Sequence, residues 1–178
     1  MDVPCITIHK KQGGKMNKKI QFIVSQAIVA SLYVVLTVIV GPFSYMAIQL
    51  RISEILILLC FYKKDYFVGL TLGCFIANLF SPMILYDITL GLLATVLSLI
   101  AIVKSKNLYI AIIFPILFNG LIVGLELTLA YELPYLVSCL EVALGEAIAM
   151  VLGLMIFKVL EKNEKIINLI KLNNDDLE

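Results

Sequence analysis

The sequence predicts an all-α, polytopic membrane protein with six transmembrane helices in one membrane domain. Of its 178 residues, 61% are hydrophobic and 15% are charged, and the mean hydropathy is +1.02. A soluble domain is roughly half apolar and about a quarter charged. The apolar residues also form long runs that lysine, proline and glycine interrupt, which is the pattern of successive membrane helices. The net charge of +1 provides no basic field for nucleic acid.

These runs divide the chain into three parts and six helices. We interpret residues 1–16 as a disordered cytosolic leader, residues 17–162 as the six-helix membrane domain and residues 163–178 as a cytosolic C-terminal tail. Met16 opens a lysine-rich segment that resembles a second start, so the sequence leaves open whether the leader is native. The predicted helices span 20–40, 52–62, 66–80, 85–103, 108–131 and 135–160.

The second predicted helix is too short to cross a membrane alone. Eleven α-helical residues rise roughly 16 Å, about half of the ~30 Å hydrocarbon thickness. We therefore expect residues 41–50 to complete the crossing as non-helical chain, which a membrane tolerates only against protein or a wet cavity.

The lysines predict the orientation. With six spans and a cytosolic N-terminus, 13 of the 14 basic residues fall in cytosolic segments, and Arg51 is the exception. The positive-inside rule then places both termini in the cytosol of a multi-pass protein of the plasma membrane.

Segment 49–54 is the most polar interruption of the apolar runs. It places Gln49, Arg51, Ser53 and Glu54 within six residues, and Arg51 is the only arginine. The three-residue spacing puts Arg51 and Glu54 on one helical face, which predicts an ion pair between them. The segment is either an interfacial anchor that starts a helix or one polar wall of a binding site.

Acidic residues concentrate in the outer half of the predicted bundle. Each carboxylate inside a span costs roughly 2.5–3.5 kcal/mol on insertion scales, so those within helices should face a shared interior. Asn119 and Glu126 are seven apart and share a face, whereas Glu141 and Glu146 are rotated by roughly 140°. We expect Glu146 to lie deeper than Glu141. The acidic residues in question are Glu54, Asp87, Glu126, Glu132, Glu141 and Glu146.

The connection between the third and fourth helices carries Asn78 and Asp87. Asp87 lies near a helix start, where capping alone would explain a carboxylate. Asn78 stands inside an apolar run and needs a polar partner. Small residues form three stripes that predict close helix packing. These stripes are Gly69, Gly73 and Ala77; Gly120 and Gly124; and Gly145, Ala149 and Gly153.

The predicted outer cavity would suit a planar, donor-rich and cationic solute, because carboxylates accept hydrogen bonds. Aromatic residues at the same level either stack on such a ring or form an interfacial belt. They are Phe43, Tyr45, Phe80, Tyr86, Tyr131 and Tyr135. The sequence has one histidine, no metal-ligand spacing of its cysteines and no phosphate-binding loop, so we predict neither an enzyme nor a cofactor or metal site.

Two motifs carry a family resemblance. Gln-Leu-Arg-Ile-Ser-Glu at 49–54, and Ala-Asn-Leu-Phe-Ser-Pro at 77–82 followed by Tyr-Asp-Ile-Thr-Leu-Gly at 86–91, resemble the QueT-type queuosine-precursor transporters. These are substrate-binding (S) components of energy-coupling-factor (ECF) transporters. The resemblance covers about residues 17–160 and implies an S-component-like bundle that captures a 7-deazaguanine, such as 7-aminomethyl-7-deazaguanine or queuine.

The resemblance also implies partners: a transmembrane coupling protein and two cytosolic ATPases. The family's docking pattern on the first helix is alanine-x-x-x-alanine. Here Ala27, Ala30 and Ser31 form the small-residue face, and Ser31 stands where the pattern has alanine.

Site roles follow from polarity and placement under this resemblance. Glu126 or Glu146 would bind the donor edge of the base, and Asp87 or Glu141 the amine. The ring acceptors would meet Gln49, Asn78 and Asn119, while Arg51 paired with Glu54 would hold the first loop.

Three other functions stay open on the sequence. The chain is alternatively an S component for another vitamin, such as riboflavin or thiamine, or a self-sufficient proton- or sodium-coupled carrier. A membrane enzyme is the third alternative, although no metal or nucleophile constellation supports it.

Overall fold

The structure is a computed structural model that describes residues 17–41 and 51–171. Within these residues every regular element is a helix, which confirms the all-α prediction. The helices are α1 (Lys18–Ile39), α2 (Ile52–Tyr62), α3 (Tyr66–Asn78), α4 (Ile84–Lys104), α5 (Leu108–Tyr131), α6 (Tyr135–Glu161) and α7 (Glu164–Lys171).

Four of these helices have the length and composition of membrane spans. Helices α1, α4, α5 and α6 contain 22, 21, 24 and 27 residues, whereas α2 and α3 are shorter apolar helices. The long helices expose large apolar side chains; on α6, for example, Leu136, Leu140 and Leu144 form an exposed stripe at four-residue spacing. Such a stripe suits contact with lipid rather than water.

Helix α2 is more extended than the sequence suggested. Its first seven residues, Ile52–Leu58, form a 3₁₀-helix, and only Leu59–Tyr62 are α-helical. A 3₁₀-helix rises about 2.0 Å per residue, so α2 spans about 20 Å instead of the ~16 Å expected of an α-helix.

Two of the long helices contain a π-helical segment. In α4 it is Asp87–Gly91, and in α5 it is Asn119–Val123. Both segments begin at a residue that the sequence predicted for a binding site. π-Helical turns occur frequently at functional sites, so the position of these segments is consistent with that prediction.

Glycines bring the helices into close contact at the predicted stripes. A Cβ at Gly73 would lie 2.9 Å from the Cβ of Tyr33 in α1, and one at Gly124 would lie 2.7 Å from the Cα of Cys139 in α6. A Cβ at Gly153 would lie 2.9 Å from Leu58. Hence α3 packs on α1, α5 packs on α6, and α6 packs on α2.

The apolar core lies toward the lysine-bearing turns, where Tyr62 stacks on Phe157 with ring centroids 5.3 Å apart. Beyond α6, the tail begins with α7, a helix that the sequence analysis did not predict. Ile167 of α7 is buried, and the hydroxyl of Tyr66 donates to the carbonyl of Ile170 at 3.4 Å.

Candidate functional site

Seven of the nine predicted site residues are buried in the bundle. Each is at most 4% exposed, although each carries a charge or an amide. They come from the start of α2, the end of α3, the start of α4, the second half of α5 and the first half of α6. These positions lie away from the lysine-bearing turns of the same helices. We call this set the polar cluster: Arg51, Glu54, Asn78, Asp87, Asn119, Glu126 and Glu146.

The guanidinium of Arg51 forms a buried ion pair with Asp87, not with Glu54 as the three-residue spacing suggested. Arg51 precedes the 3₁₀-helix with extended backbone (φ −84°, ψ 89°), so its side chain does not follow the helical face that carries Glu54. The predicted local pair is therefore wrong, and the pair instead joins α2 to α4 across 36 residues of chain.

The carboxylate of Asp87 has tertiary partners, so helix capping alone does not explain it. Its second carboxylate oxygen accepts a hydrogen bond from the hydroxyl of Ser81, and no side-chain cap is present at this helix start. The amide of Asn78 donates to the backbone carbonyl of Asp87 at 2.7 Å. Because π-helical turns disturb the regular hydrogen-bond ladder, this contact stabilises the segment as well as the site.

Glu54 receives its hydrogen bond from another helix. The hydroxyl of Tyr33 in α1 donates to Glu54 Oε1, and Thr95 Oγ1 in α4 lies 3.5 Å from the same oxygen. The other carboxylate oxygen, Oε2, is buried and has no hydrogen-bond partner among the described residues.

Glu126 approaches the π-helical segment of α4. A Cβ at Gly91 would lie 3.3 Å from Asp87 Oδ1, 3.4 Å from Glu126 Oε2 and 3.5 Å from Asn78 Nδ2. The absent side chain of Gly91 therefore leaves a small space between three polar groups that come from three different helices. Glu126 is also close enough to Arg51 to interact with it electrostatically.

Asn119 and Glu146 occupy the middle of α5 and α6. Glu146 lies close enough to Glu54 and Arg51 to interact with them electrostatically, so it belongs to the same group of charges. Glu146 is 2% exposed, whereas Glu141 on the same helix is only partly buried.

Several buried polar atoms of the site find no protein partner among the described residues. Four are carboxylate oxygens, and two are donors. Since native proteins pair nearly all buried polar atoms with protein, water or ligand, this arrangement can bind a solute or ordered water that supplies mainly donors. The atoms are Glu54 Oε2, Glu126 Oε1 and Oε2, Glu146 Oε1, Arg51 Nε and Asn119 Nδ2, together with the hydroxyl of Ser138.

The remaining predicted residues do not join the polar cluster. Gln49, like Phe43 and Tyr45, lies outside the described residues. Glu141 is only partly buried, and Glu132 is exposed at the left-handed turn (φ 56°) that ends α5, so six carboxylates do not share one interior. The four described aromatic residues are exposed, as an interfacial belt requires: Phe80, Tyr86, Tyr131 and Tyr135.

Sequence reasoning missed Tyr33, Ser81, Thr95 and Gly91. Tyr33 had a detectable signal, since Gln26, Tyr33 and Thr37 recur at spacings of seven and four along α1 and mark one polar stripe. All three are buried. Gln26 accepts a hydrogen bond from the backbone N–H of Gly69 at 2.8 Å. Ser81 and Gly91 lie within the motifs that had been noted, but their roles depend on tertiary contacts.

The small-residue face of α1 borders an apolar groove of about 690 Å³. Ala27, Ala30 and Ser31 all line it, together with Leu72 and Ile76 of α3. The hydroxyl of Ser31 donates to the carbonyl of Ala27 at 2.7 Å, so it is satisfied within its own helix. The hydroxyl of Ser31 therefore adds little polarity to the groove.

Comparison with known proteins identifies the family. A profile described as "QueT transporter" matches residues 23–162. The chain belongs to the QueT transporter family. A curated relative, "Queuosine precursor transporter QueT" of Lactococcus lactis subsp. cremoris (strain MG1363), is 34% identical over 158 residues, which cover 79% of this chain and 92% of the relative. No solved structure matches the chain. The match confirms the family that the sequence motifs indicated, and the whole polar cluster lies inside the QueT region.

Proposed function

We propose that this QueT-family protein captures a queuosine precursor from outside the cell. The precursor is a 7-deazaguanine, such as 7-aminomethyl-7-deazaguanine or queuine. One observation carries the proposal: the polar cluster leaves four buried carboxylate oxygens without a partner among the described residues, against two donor atoms. A ligand that enters this site must therefore bring more donors than acceptors.

A 7-deazaguanine meets this requirement. Its guanine-like edge carries a ring N–H beside an exocyclic amino group, and the aminomethyl substituent is a cation at neutral pH. Glu126 or Glu146 would bind the donor edge, and the amine would approach Asp87 beside the space at Gly91. Hydrogen bonds to charged groups contribute roughly 1.5–3 kcal/mol each, so each carboxylate should have a measurable effect on affinity.

Binding of 7-aminomethyl-7-deazaguanine to purified protein tests the proposal. We expect Glu126→Gln and Glu146→Gln each to weaken binding about ten-fold or more, since a charge-assisted hydrogen bond is lost. Glu132→Gln is the matched control, because Glu132 is exposed on the same side of the bundle and should leave affinity unchanged. Normal binding by both Glu126→Gln and Glu146→Gln would reject the assignment. The mass of a co-purified ligand gives an independent identification.

We further propose that the chain is an S component with six spans and both termini in the cytosol. The short helices α2 and α3 would supply the two spans beyond the four long ones. Residues 42–50, which the sequence predicted to complete the first of these, lie outside the described residues. The groove on α1 would receive the transmembrane coupling protein, and two ATPases bound to that protein would supply energy. The apolar lining of the groove and the internally satisfied hydroxyl of Ser31 support this docking.

Co-purification with the coupling complex tests the docking. Ala27→Trp should fill the groove and abolish association, because Ala27 is exposed and lines it. Leu117→Trp places the same bulk on an exposed position of α5 and should leave association intact. Equal recovery of the complex with both variants would reject this surface as the docking site.

A second candidate function is proton-coupled transport without partners. Glu126 favours it, since both of its buried carboxylate oxygens lack a partner among the described residues and a buried carboxyl group suits a proton relay. Uptake by proteoliposomes that contain this chain alone, driven by a pH gradient, would establish it.

An S component for another vitamin is distinguished by competition of riboflavin or thiamine with the deazaguanine.

A further inference from the structure

Tyr33 lies at a close contact between α1 and α3. Its side chain is buried, with an exposed fraction of 1%, and a Cβ at Gly73 would lie only 2.9 Å from its Cβ. Glycine at position 73 therefore lets α1 approach closely enough for the tyrosine ring to pass into the bundle. An aromatic residue on the first helix thus reaches a charged group of the polar cluster.

The hydroxyl of Tyr33 selects one oxygen of Glu54. It donates to Oε1, and Thr95 Oγ1 lies 3.5 Å from that same oxygen. Oε2 has no partner among the described residues, although it is buried. Protein contacts thus gather on one side of the carboxylate and leave the other side free within a cluster of unpaired atoms.

Without the hydrogen bond from Tyr33, Arg51 is the group available to pair with Glu54. It lies three residues earlier, interacts with Glu54 electrostatically and has a buried Nε atom without a partner among the described residues. Instead, the guanidinium is paired with Asp87 and Glu54 is held by Tyr33. Each charge is thereby held by a partner on another helix.

We propose that Tyr33 is a positioning residue that holds Glu54 away from Arg51 and presents Glu54 Oε2 to the transported ligand. This inference rests on the proposed function in one respect, namely that the ligand enters the polar cluster. Without the hydroxyl of Tyr33, the carboxylate of Glu54 is free to turn toward Arg51. Oε2 then no longer accepts a hydrogen bond from the ligand, although the carboxylate is still present.

A neighbouring hydroxyl on the same helix provides a matched control. Thr37 is buried one turn after Tyr33, and it shares a hydrogen bond of 2.7 Å with Ser53 of α2. Thr37→Val and Tyr33→Phe each remove one hydrogen bond between α1 and α2 while keeping the shape of the side chain. Only Tyr33→Phe releases a carboxylate of the polar cluster.

The test is a double-mutant cycle on ligand affinity. We expect Tyr33→Phe to weaken binding of 7-aminomethyl-7-deazaguanine about ten-fold, from the loss of one ordered charged acceptor, and Thr37→Val to change it less than about two-fold. In a Glu54→Gln background, Tyr33→Phe should have an effect of less than about three-fold, because the two residues act through one contact. Equal effects of Tyr33→Phe in both backgrounds would overturn the proposal, as would equal losses from Tyr33→Phe and Thr37→Val.

An infrared measurement separates this inference from the proposed function. If the wild-type protein binds no deazaguanine, the proposed ligand is wrong, and the contact itself is still measured in the unliganded protein. The carboxyl band assigned to Glu54 by its absence in Glu54→Gln should shift in Tyr33→Phe and stay unchanged in Thr37→Val. A band that is the same in Tyr33→Phe as in wild type would overturn the positioning role.

Discussion

Replacing Arg51 by methionine tests the ion pair that joins α2 to α4. Methionine keeps the length and much of the volume of the side chain but removes the charge. Arg51 and Ser81 are the side-chain partners of Asp87 in the structure. Without the guanidinium, the buried carboxylate of Asp87 therefore keeps only the hydroxyl of Ser81 as a side-chain donor. The exposed fractions of the paired side chains are 5% and 0%, so water cannot replace the guanidinium without rearrangement.

The magnitude follows from this burial. Removing one member of a buried ion pair typically destabilises a protein by about 3–5 kcal/mol, because the other charge is left uncompensated. Replacing both members by neutral groups is often nearly neutral. We therefore expect Arg51→Met to lower the stability by about 3–5 kcal/mol, and addition of Asp87→Asn to restore at least about half of that loss.

Thermal unfolding in a fixed detergent measures the effect. For a chain of this size, about 3–5 kcal/mol corresponds to a fall in Tm of roughly 6–20 °C. Lys158→Met is the control: it breaks the pair with Glu161 at 2.7 Å, whose side chains are 40% and 33% exposed, and should cost less than about 1 kcal/mol. The reasoning is refuted if the double variant is as unstable as the summed single variants, or if Arg51→Met behaves like Lys158→Met.

Glycine substitutions give further predictions. Gly124→Ala should lower the free energy of unfolding by about 1–3 kcal/mol, and hence the Tm, because its Cβ would lie 2.7 Å from the Cα of Cys139. Gly41→Ala is the control, since its Cβ meets nothing within 4 Å and the change should be neutral or stabilising. A higher Tm for Gly124→Ala would contradict the close contact. Gly91→Ala should change the free energy of unfolding by less than about 1 kcal/mol but weaken ligand binding, since its contacts of 3.3–3.5 Å require only small shifts of side-chain atoms and its methyl group fills the space beside Asp87. Ser138→Ala should not destabilise the unliganded protein, because the buried hydroxyl has no partner among the described residues; a loss above about 1 kcal/mol would contradict this.

The sequence predicted the helices well because their ends are marked locally. Lys63, Lys104 and the Ser81–Pro82 step interrupt apolar runs, and the helices end or begin beside them. The buried positions of Asn119, Glu126 and Glu146 also followed from a simple argument, since charged and amide groups inside a span avoid lipid.

Partner choice could not be predicted in the same way. Arg51 and Glu54 satisfy a local spacing rule, yet their partners lie 36 and 21 residues away in sequence. Those partners depend on how closely α1 approaches α3 and on the conformation of the start of α2, which is 3₁₀ rather than α. The exposure of Glu132 could not be predicted either, because it depends on the left-handed backbone conformation of Glu132 at the end of α5.

The π-helical segments explain how polar residues of one bundle can be both structural and available to a ligand. Asn78 donates to the carbonyl of Asp87, and Thr95 donates to the carbonyl of Gly91 at 3.2 Å, so both ends of the α4 segment are held by neighbouring hydroxyl or amide groups. These donors are committed to backbone in a region where an unsatisfied carbonyl is expensive. The acceptor oxygens of the neighbouring carboxylates, in particular those of Glu126, then find few protein donors among the described residues. A membrane site built in this way would favour a ligand that brings hydrogen-bond donors, because its own donors already stabilise the helices that form it.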